Sequence, residues 1–335
     1  MTPVPCAVVT GALGSGKTTA IRELLARPEM EGTALIINEF GEVGLDHLLV
    51  SSAVETTLLM ENGCMCCSLR GDVVDTVLLI LAAAERGDIP TFRRIMIETT
   101  GLADPIPIVR ELSNAHALRD KIRLAKVATC VDGVIGRAEL AQNPVAIHQV
   151  AQADLVLVTK TDLADPLMID ELCEALFDIN PMLAIHPVRE GGLPDGDFLF
   201  GDPSDSEFVA PEIRAHSGHT THHHHAGGGT ALHTGVESWS RVIGHPLQWA
   251  RLRDWLDLVY SLNAARVLRS KGILWIEESD RPLLVQGVGP VITPPRFLEA
   301  WPQMQRESRI VMILKDTASA TIGASFNEYV LKSDE

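Results

Sequence analysis

Residues 11–18 read Gly11-Ala12-Leu13-Gly14-Ser15-Gly16-Lys17-Thr18, a complete P-loop of the form G-x-x-x-x-G-K-[ST]. Its surroundings match what the motif requires. The apolar run at residues 6–10 predicts a short buried strand, and residues 19–25 predict a helix. In that context the backbone N–H groups from Gly11 through Gly16, Ser15 included, turn inward toward phosphate oxygens. The helix that follows presents the positive end of its dipole to the same phosphates. Lys17 would reach the β- and γ-phosphates, and the Thr18 hydroxyl would bind Mg²⁺. The stretch implies a nucleoside triphosphate site.

Working outward, the first half of the chain alternates two kinds of segment. Residues 34–37, 58–60, 94–97, 126–131 and 155–159 predict strands, and residues 73–86 and 106–112 predict helices between them. That alternation predicts an α/β fold, a P-loop NTPase with a mostly parallel sheet covered by helices. Ligands of such sheets bind at the carboxyl ends of the strands, which is where each motif falls. From residue 191 to residue 235 the chain turns to Gly, Asp, Pro, Ser and His, with little periodicity, and reads as a linker or loop. Beyond it, strands are expected at 236–243, 264–276, 282–288 and 310–314, with a helix over 246–261, which describes a small α+β C-terminal domain. The expected division is 1–190, 191–235 and 236–335.

The 335 residues are enough for two domains, and 46% hydrophobic content is ordinary for a soluble protein. The longest apolar run, 77–84, falls far short of the ~20 residues of a membrane span. The net charge of −16 disfavours nucleic acid or an anionic membrane as partner. With no signal peptide ahead of the P-loop, a cytoplasmic location is expected, where the six cysteines would be thiols. Cys6, Cys130 and Cys173 lie singly in apolar runs and read as small buried hydrophobes.

Two further motifs complete a nucleotide site. The strand Arg94-Ile95-Met96-Ile97 runs into Glu98-Thr99-Thr100-Gly101. Glu98 can hold a water on the Mg²⁺, the Walker-B role, and Gly101 would let the backbone approach the γ-phosphate. The strand ending at Val158 continues as Thr159-Lys160-Thr161-Asp162. Asp162 can accept both the ring N–H and the exocyclic amine of guanine, while the Lys160 stem lies along the base. That selects GTP over ATP. Thr159 stands where Asn is commoner, offering a hydroxyl in place of an amide.

The remaining chemistry is metal chemistry. Cys64-Met65-Cys66-Cys67 follows a strand and turn and gathers three of the six thiols into four residues. Thiolates bind Zn²⁺, Cu⁺ and Co²⁺. Glu42, His47 or His116 could complete such a shell, and an incomplete shell suits a carrier better than a structural site. Asn38-Glu39-Phe40-Gly41-Glu42-Val43-Gly44 reads as a switch segment in which Glu42 would position water or touch the metal. Residues 216–225 hold six histidines and read either as a metal-binding loop or as a solvated low-complexity stretch.

Taken in order, the P-loop, N-E-F-G-E, C-M-C-C, E-T-T-G and T-K-x-D resemble the CobW-type family of P-loop GTPases and metallochaperones, strongly over residues 5–190. The C-terminal region is similar to that family's second domain at Lys271-Gly272 and Val285-Gln286-Gly287-Val288. The resemblance implies GTP hydrolysis coupled to delivery of Zn²⁺ or Co²⁺ to a client metalloprotein. It assigns Gly14, Gly16, Lys17, Thr18 and Thr19 to phosphates and Mg²⁺, and Glu98 to the Walker-B position. Lys160 and Asp162 go to guanine, and Cys64, Cys66 and Cys67 to the cargo metal. Catalysis then falls to Lys17, Glu98 and Glu42, with slow intrinsic turnover because no arginine finger is evident. Two other readings stay open: a metal buffer or sensor with regulatory nucleotide binding, and a small-molecule phosphotransferase. The metal, the client and the oligomeric state also stay open.

Overall fold

The computed structural model of the chain describes residues 2–38, 57–59, 65–68, 72–188, 197–201, 235–301, 306–317 and 319–331. The described residues form two compact units, one from Met1–Glu139, Ala153–Leu172 and Ala184–Asp202, the other from Leu140–Gln152, Cys173–Leu183 and Pro203–Glu335.

The first unit is built on eight strands, β1 (Val4–Gly11), β2 (Thr33–Asn38), β3 (Thr57–Leu59), β4 (Met65–Ser68), β5 (Arg94–Thr99), β6 (Ile122–Asp132), β7 (Leu155–Thr159) and β8 (Ala184–Pro187). Their order across the sheet is β3-β4-β2-β5-β1-β6-β7-β8. All neighbours run parallel except β3, which is antiparallel to β4. β1 sits centrally, paired with β5 through Val9↔Glu98 and with β6 through Gly11↔Cys130. A strand covered on both faces must be apolar on both, so Cys6, Ala7, Val8 and Val9 form an unbroken buried run rather than an alternating one.

The helices of the alternation are α1 (Lys17–Leu25), α2 (Val73–Arg86), α3 (Ile106–Asn114), α4 (Gly136–Gln142), α5 (Pro144–Gln152) and α6 (Pro166–Ile179), followed by the short α7 (Asp197–Phe200). α1 buries Ile21, Leu24 and Leu25 against Ala7, Val9, Met96 and Leu157. α2 begins where Asp72 accepts the Val74 N–H at 2.7 Å, an N-cap that fixes its start at the predicted residue.

Three expectations need adjusting. Two of the cysteines expected after a turn lie within a strand: Cys66 and Cys67 of β4 are in register with Leu35 and Ile36 of β2 and with Leu58 and Thr57 of β3. Part of the expected linker is α7, whose Leu199 and Phe200 are buried in the core of the first unit. It is pinned by Lys126 Nζ on the Phe198 carbonyl at 2.5 Å and by Arg123 on the Phe200 carbonyl at 3.1 Å. The histidine-rich run at 216–225 lies outside the described residues.

In the second unit β9 (Val236–Ile243), β10 (Val267–Ile276), β11 (Ser279–Val288), β12 (Val291–Ile292), β13 (Arg296–Phe297) and β14 (Ser308–Lys315) form an antiparallel sheet, order β12-β11-β10-β14-β9, with β13 on β11. Helix α8 (Trp249–Asn263), α9 (Ser319–Phe326) and a π-helical turn at Asn327–Leu331 complete it. Trp239, Trp255 and Phe326 meet with ring centroids 5.0–5.7 Å apart, and the Trp255 indole N–H is satisfied by Ser325 Oγ at 3.0 Å. The third adjustment falls here. α8 starts at Trp249 rather than residue 246 because Leu247 is held extended, exchanging backbone hydrogen bonds with Trp275 and Glu277. β10 starts at Val267 rather than residue 264, since residues 264–266 form the turn that ends α8.

Candidate functional site

The P-loop spans the gap between the end of β1 and the start of α1 at the carboxyl edge of the sheet. Gly16 is the residue before the helix and takes φ 77°, a left-handed conformation that a side chain disfavours. Lys17 is 8% exposed, and its ammonium lies 3.4 Å from the Gly11 carbonyl. Ser15 is 1% exposed, yet its hydroxyl has no hydrogen-bond partner among the described residues. A buried hydroxyl without a partner costs free energy, and a bound anion in the loop would satisfy it. The loop's own donors therefore fit a phosphate-bearing ligand.

β5 delivers the acid. Glu98 is 6% exposed, and the Thr18 hydroxyl donates to its Oε1 at 2.7 Å across 80 residues of sequence. The two side chains expected to serve one Mg²⁺ thus meet directly. Thr19 is exposed beside them. Two residues after β5, Gly101 packs against the P-loop backbone, where an added Cβ would stand 2.6 Å from Leu13 N and 2.7 Å from Leu13 Cα. The close approach that Gly101 permits is to the loop itself. Gly101→Ala must push the backbone of the P-loop aside. It is expected to destabilise the chain by roughly 1–3 kcal/mol and to weaken nucleotide binding. A thermal melt and a fluorescent-GDP titration check this, and unchanged values in both would sink it.

β7 brings the third motif. Thr159 is buried, and its hydroxyl donates to the Ser15 carbonyl at 2.6 Å, with the Val131 carbonyl at 3.3 Å. The residue that replaces the commoner Asn is a clamp on the P-loop. Lys160 has φ 53° and donates to the Gly14 carbonyl at 2.9 Å and to Asp132 Oδ2 at 2.5 Å. Asp162 is exposed two residues on. The reading from residues alone missed Asp132, although an acid ending an apolar strand is the signal that marked Glu98. Burial by itself would raise the Asp132 carboxyl. The Lys160 hydrogen bond, the Val134 and Ile135 N–H groups and the Lys160 charge outweigh that and hold it below the usual carboxylate range.

The P-loop, Glu98, Gly101 and Lys160 are therefore one constellation. The metal candidates are not part of it among the described residues. Cys66 and Cys67 lie on β4, separated from β1 by β2 and β5. Cys64, Glu39, Glu42 and His47 lie outside the described residues. His116 is exposed in a 3₁₀ turn after α3. Among the described residues no group of three or more His, Cys, Asp or Glu converges on a metal position. Burial pushes the Cys6 and Cys130 thiols up to about 12. Both stay protonated at neutral pH and are poor ligands, while Cys173 on α6 is half-buried.

With this geometry in view, likeness to known proteins is informative. The family described as CobW/HypB/UreG, nucleotide-binding domain, matches residues 5–187, and the cobalamin synthesis protein cobW C-terminal domain matches residues 236–330. The zinc chaperone YjiA of Escherichia coli is 32% identical over 288 residues, covering 86% of this chain and 87% of that protein. The zinc-regulated GTPase metalloprotein activator 1 of Schizosaccharomyces pombe is 28% identical over 200 residues, covering 58% of this chain and 47% of that protein. The crystal structure of Zn(II)-bound YjiA GTPase superposes with a TM-score of 0.73 at 28% identity, over 98% of this chain and 99% of that one. Among the described residues no helix is long and apolar enough to cross a membrane.

Proposed function

Because the chain belongs to the CobW/HypB/UreG family of P-loop GTPases and carries the CobW C-terminal domain, we propose that it is a GTP-hydrolysing zinc chaperone that binds its cargo through Cys64, Cys66 and Cys67 and passes it to a client metalloprotein. The observation that supports the nucleotide half is the 2.7 Å contact between Thr18 and Glu98, which brings together beside the loop the two side chains that would serve one cation. The relatives support the metal half: one is a zinc chaperone and another a zinc-regulated GTPase metalloprotein activator.

In this reading Lys17 leaves the Gly11 carbonyl to bind the β- and γ-phosphate oxygens. Thr18 Oγ1 and Glu98 would hold Mg²⁺, the acid through a water. Mg²⁺, when bound, supplies neutralisation of the charge that develops on the triphosphate. Asp162 reads the guanine edge and the Lys160 stem lies along the base. Glu42, in the switch segment after β2, orients the attacking water or touches the metal. With no arginine finger evident in the sequence, turnover is expected to be slow, on the order of 10⁻⁴–10⁻³ s⁻¹. The same thiolate set accepts Co²⁺ as well as Zn²⁺.

β2 joins the two halves, because it pairs with β4 on one side and β5 on the other, and the switch segment leaves its end. A γ-phosphate that orders the switch would then tighten the metal shell, and hydrolysis would loosen it. The test is Zn²⁺ and Co²⁺ affinity by chelator competition, with Mg²⁺ and a non-hydrolysable GTP analogue and again with Mg²⁺-GDP. The expected result is at least about fivefold tighter binding with the analogue, the lower end of ordinary coupling. Equal affinities would remove the gating and favour a metal buffer.

A further inference from the structure

We propose that Asp132 is a positioning residue for nucleotide binding, holding the Lys160 ammonium against the Gly14 carbonyl so that the P-loop and the base-reading segment form one rigid cradle. This rests on the reading of the site as a nucleotide pocket.

Four observations carry it. The Asp132 side chain is 2% exposed at the last residue of β6, with Oδ2 2.5 Å from Lys160 Nζ. The same ammonium donates to the Gly14 carbonyl at 2.9 Å, so one cation ties β6, β7 and the P-loop together. Lys160 is one of two non-glycine residues with positive φ among those described. An L-residue keeps that conformation only when its surroundings hold it, and here the side chain is held at its far end. Finally, Asp132 Oδ1 accepts the Val134 and Ile135 N–H groups at 2.8 and 3.2 Å, which fixes the carboxylate's own orientation. Removing the negative charge frees the ammonium, and the Gly14 contact loses its anchor. The loop that cradles phosphate keeps the Thr159 bond to the Ser15 carbonyl but loses its tie to the side chain that faces the base.

A purely structural role is the competing account, in which Asp132 only caps the turn after β6. Asp132→Asn separates the two, because its amide oxygen still accepts the Val134 and Ile135 N–H groups while the charge is gone. The full chain is loaded with a fluorescent GDP and Mg²⁺, and release is followed on mixing with excess GDP. Dissociation is expected to accelerate about tenfold in Asp132→Asn, in line with one charge-assisted hydrogen bond, with an unchanged melting temperature without nucleotide. Lys160→Met should release at least as fast, and the double variant no faster than Lys160→Met alone. Release within about twofold of the unaltered chain, or effects of the two changes that multiply, would overturn the proposal. If Asp132→Asn does not fold, Lys160→Arg decides: a guanidinium can reach both oxygens and should retain slow release where Lys160→Met does not, whereas equal losses sink the bridge. Displacement by ADP on the unaltered chain is measured in parallel. ADP competing as well as GDP would refute guanine selection, while the coupling between Asp132 and Lys160 is still read from the release rates.

Discussion

Lys17→Ala is expected to lower GTP turnover by about 10²–10³-fold, the scale of removing one preorganised charge donor from a reacting phosphate. Lys17 is 8% exposed, and its ammonium has the Gly11 carbonyl at 3.4 Å as its hydrogen-bond partner among the described residues. That contact is longer than a good N–H···O bond, so the cation is poised to exchange it for phosphate oxygens. The α1 packing that surrounds the site uses Ile21, Leu24 and Leu25 and does not need the ammonium. The fold should therefore survive while nucleotide affinity and hydrolysis fall together. Phosphate release under saturating GTP, with a melting curve of the same preparation, makes the comparison. Turnover retained within about threefold would mean that the loop binds something other than the phosphates being cleaved.

The second large effect concerns the metal. Changing Cys64, Cys66 and Cys67 together to Ala is expected to weaken Zn²⁺ binding by at least about a thousandfold, since thiolate ligands carry most of the free energy of such sites. Guanine nucleotide affinity should hardly move. Cys66 and Cys67 lie on β4, with β2 and β5 between them and the P-loop strand, and the backbone pairing of β4 does not depend on its side chains. Buried Cys6 and Cys130, with thiols pushed up to about 12, cannot take over the role. Chelator competition on the variant and the unaltered chain reads this directly. A loss of less than about tenfold would place the cargo site elsewhere, and the histidine-rich run at 216–225 would become the first candidate.

Taken together, the two variants separate the activities. Lys17→Ala should retain zinc binding but lose its dependence on nucleotide, and the cysteine variant should do the converse. A chaperone needs both halves intact, whereas a buffer needs only the second.

Much of this architecture is readable before any coordinates. The P-loop declares a strand, a turn and a helix through residues whose backbone preferences are local, and the structure has β1 ending at Gly11 and α1 starting at Lys17. α2 was legible to the residue because Asp72 caps one end and Gly87 terminates the other. β7 is legible as an apolar, β-branched run between turn residues. Glu98 and Asp162 stand out in the sequence as carboxylates at or just beyond a strand end.

What escaped had non-local causes. β4 is four residues, Met65-Cys66-Cys67-Ser68, with no pattern to distinguish strand from turn; it is a strand because β2 and β3 supply its hydrogen bonds. α7 is helical and buried because Lys126 and Arg123, more than 70 residues earlier, take up its carbonyls. In the sequence Thr159 is a hydroxyl in place of an amide, and only its 2.6 Å bond to the carbonyl of Ser15, 144 residues away, makes it a clamp on the loop. Asp132 and Lys160 are 28 residues apart and become partners only when β6 and β7 lie side by side. By itself, then, the sequence determined the P-loop, the alternation of strands and helices and the family, because sterics, caps and hydrophobic period act over a few residues. The tertiary structure decided which strands are neighbours and which polar groups meet at their ends, because those pairings are set by whatever the rest of the chain brings alongside.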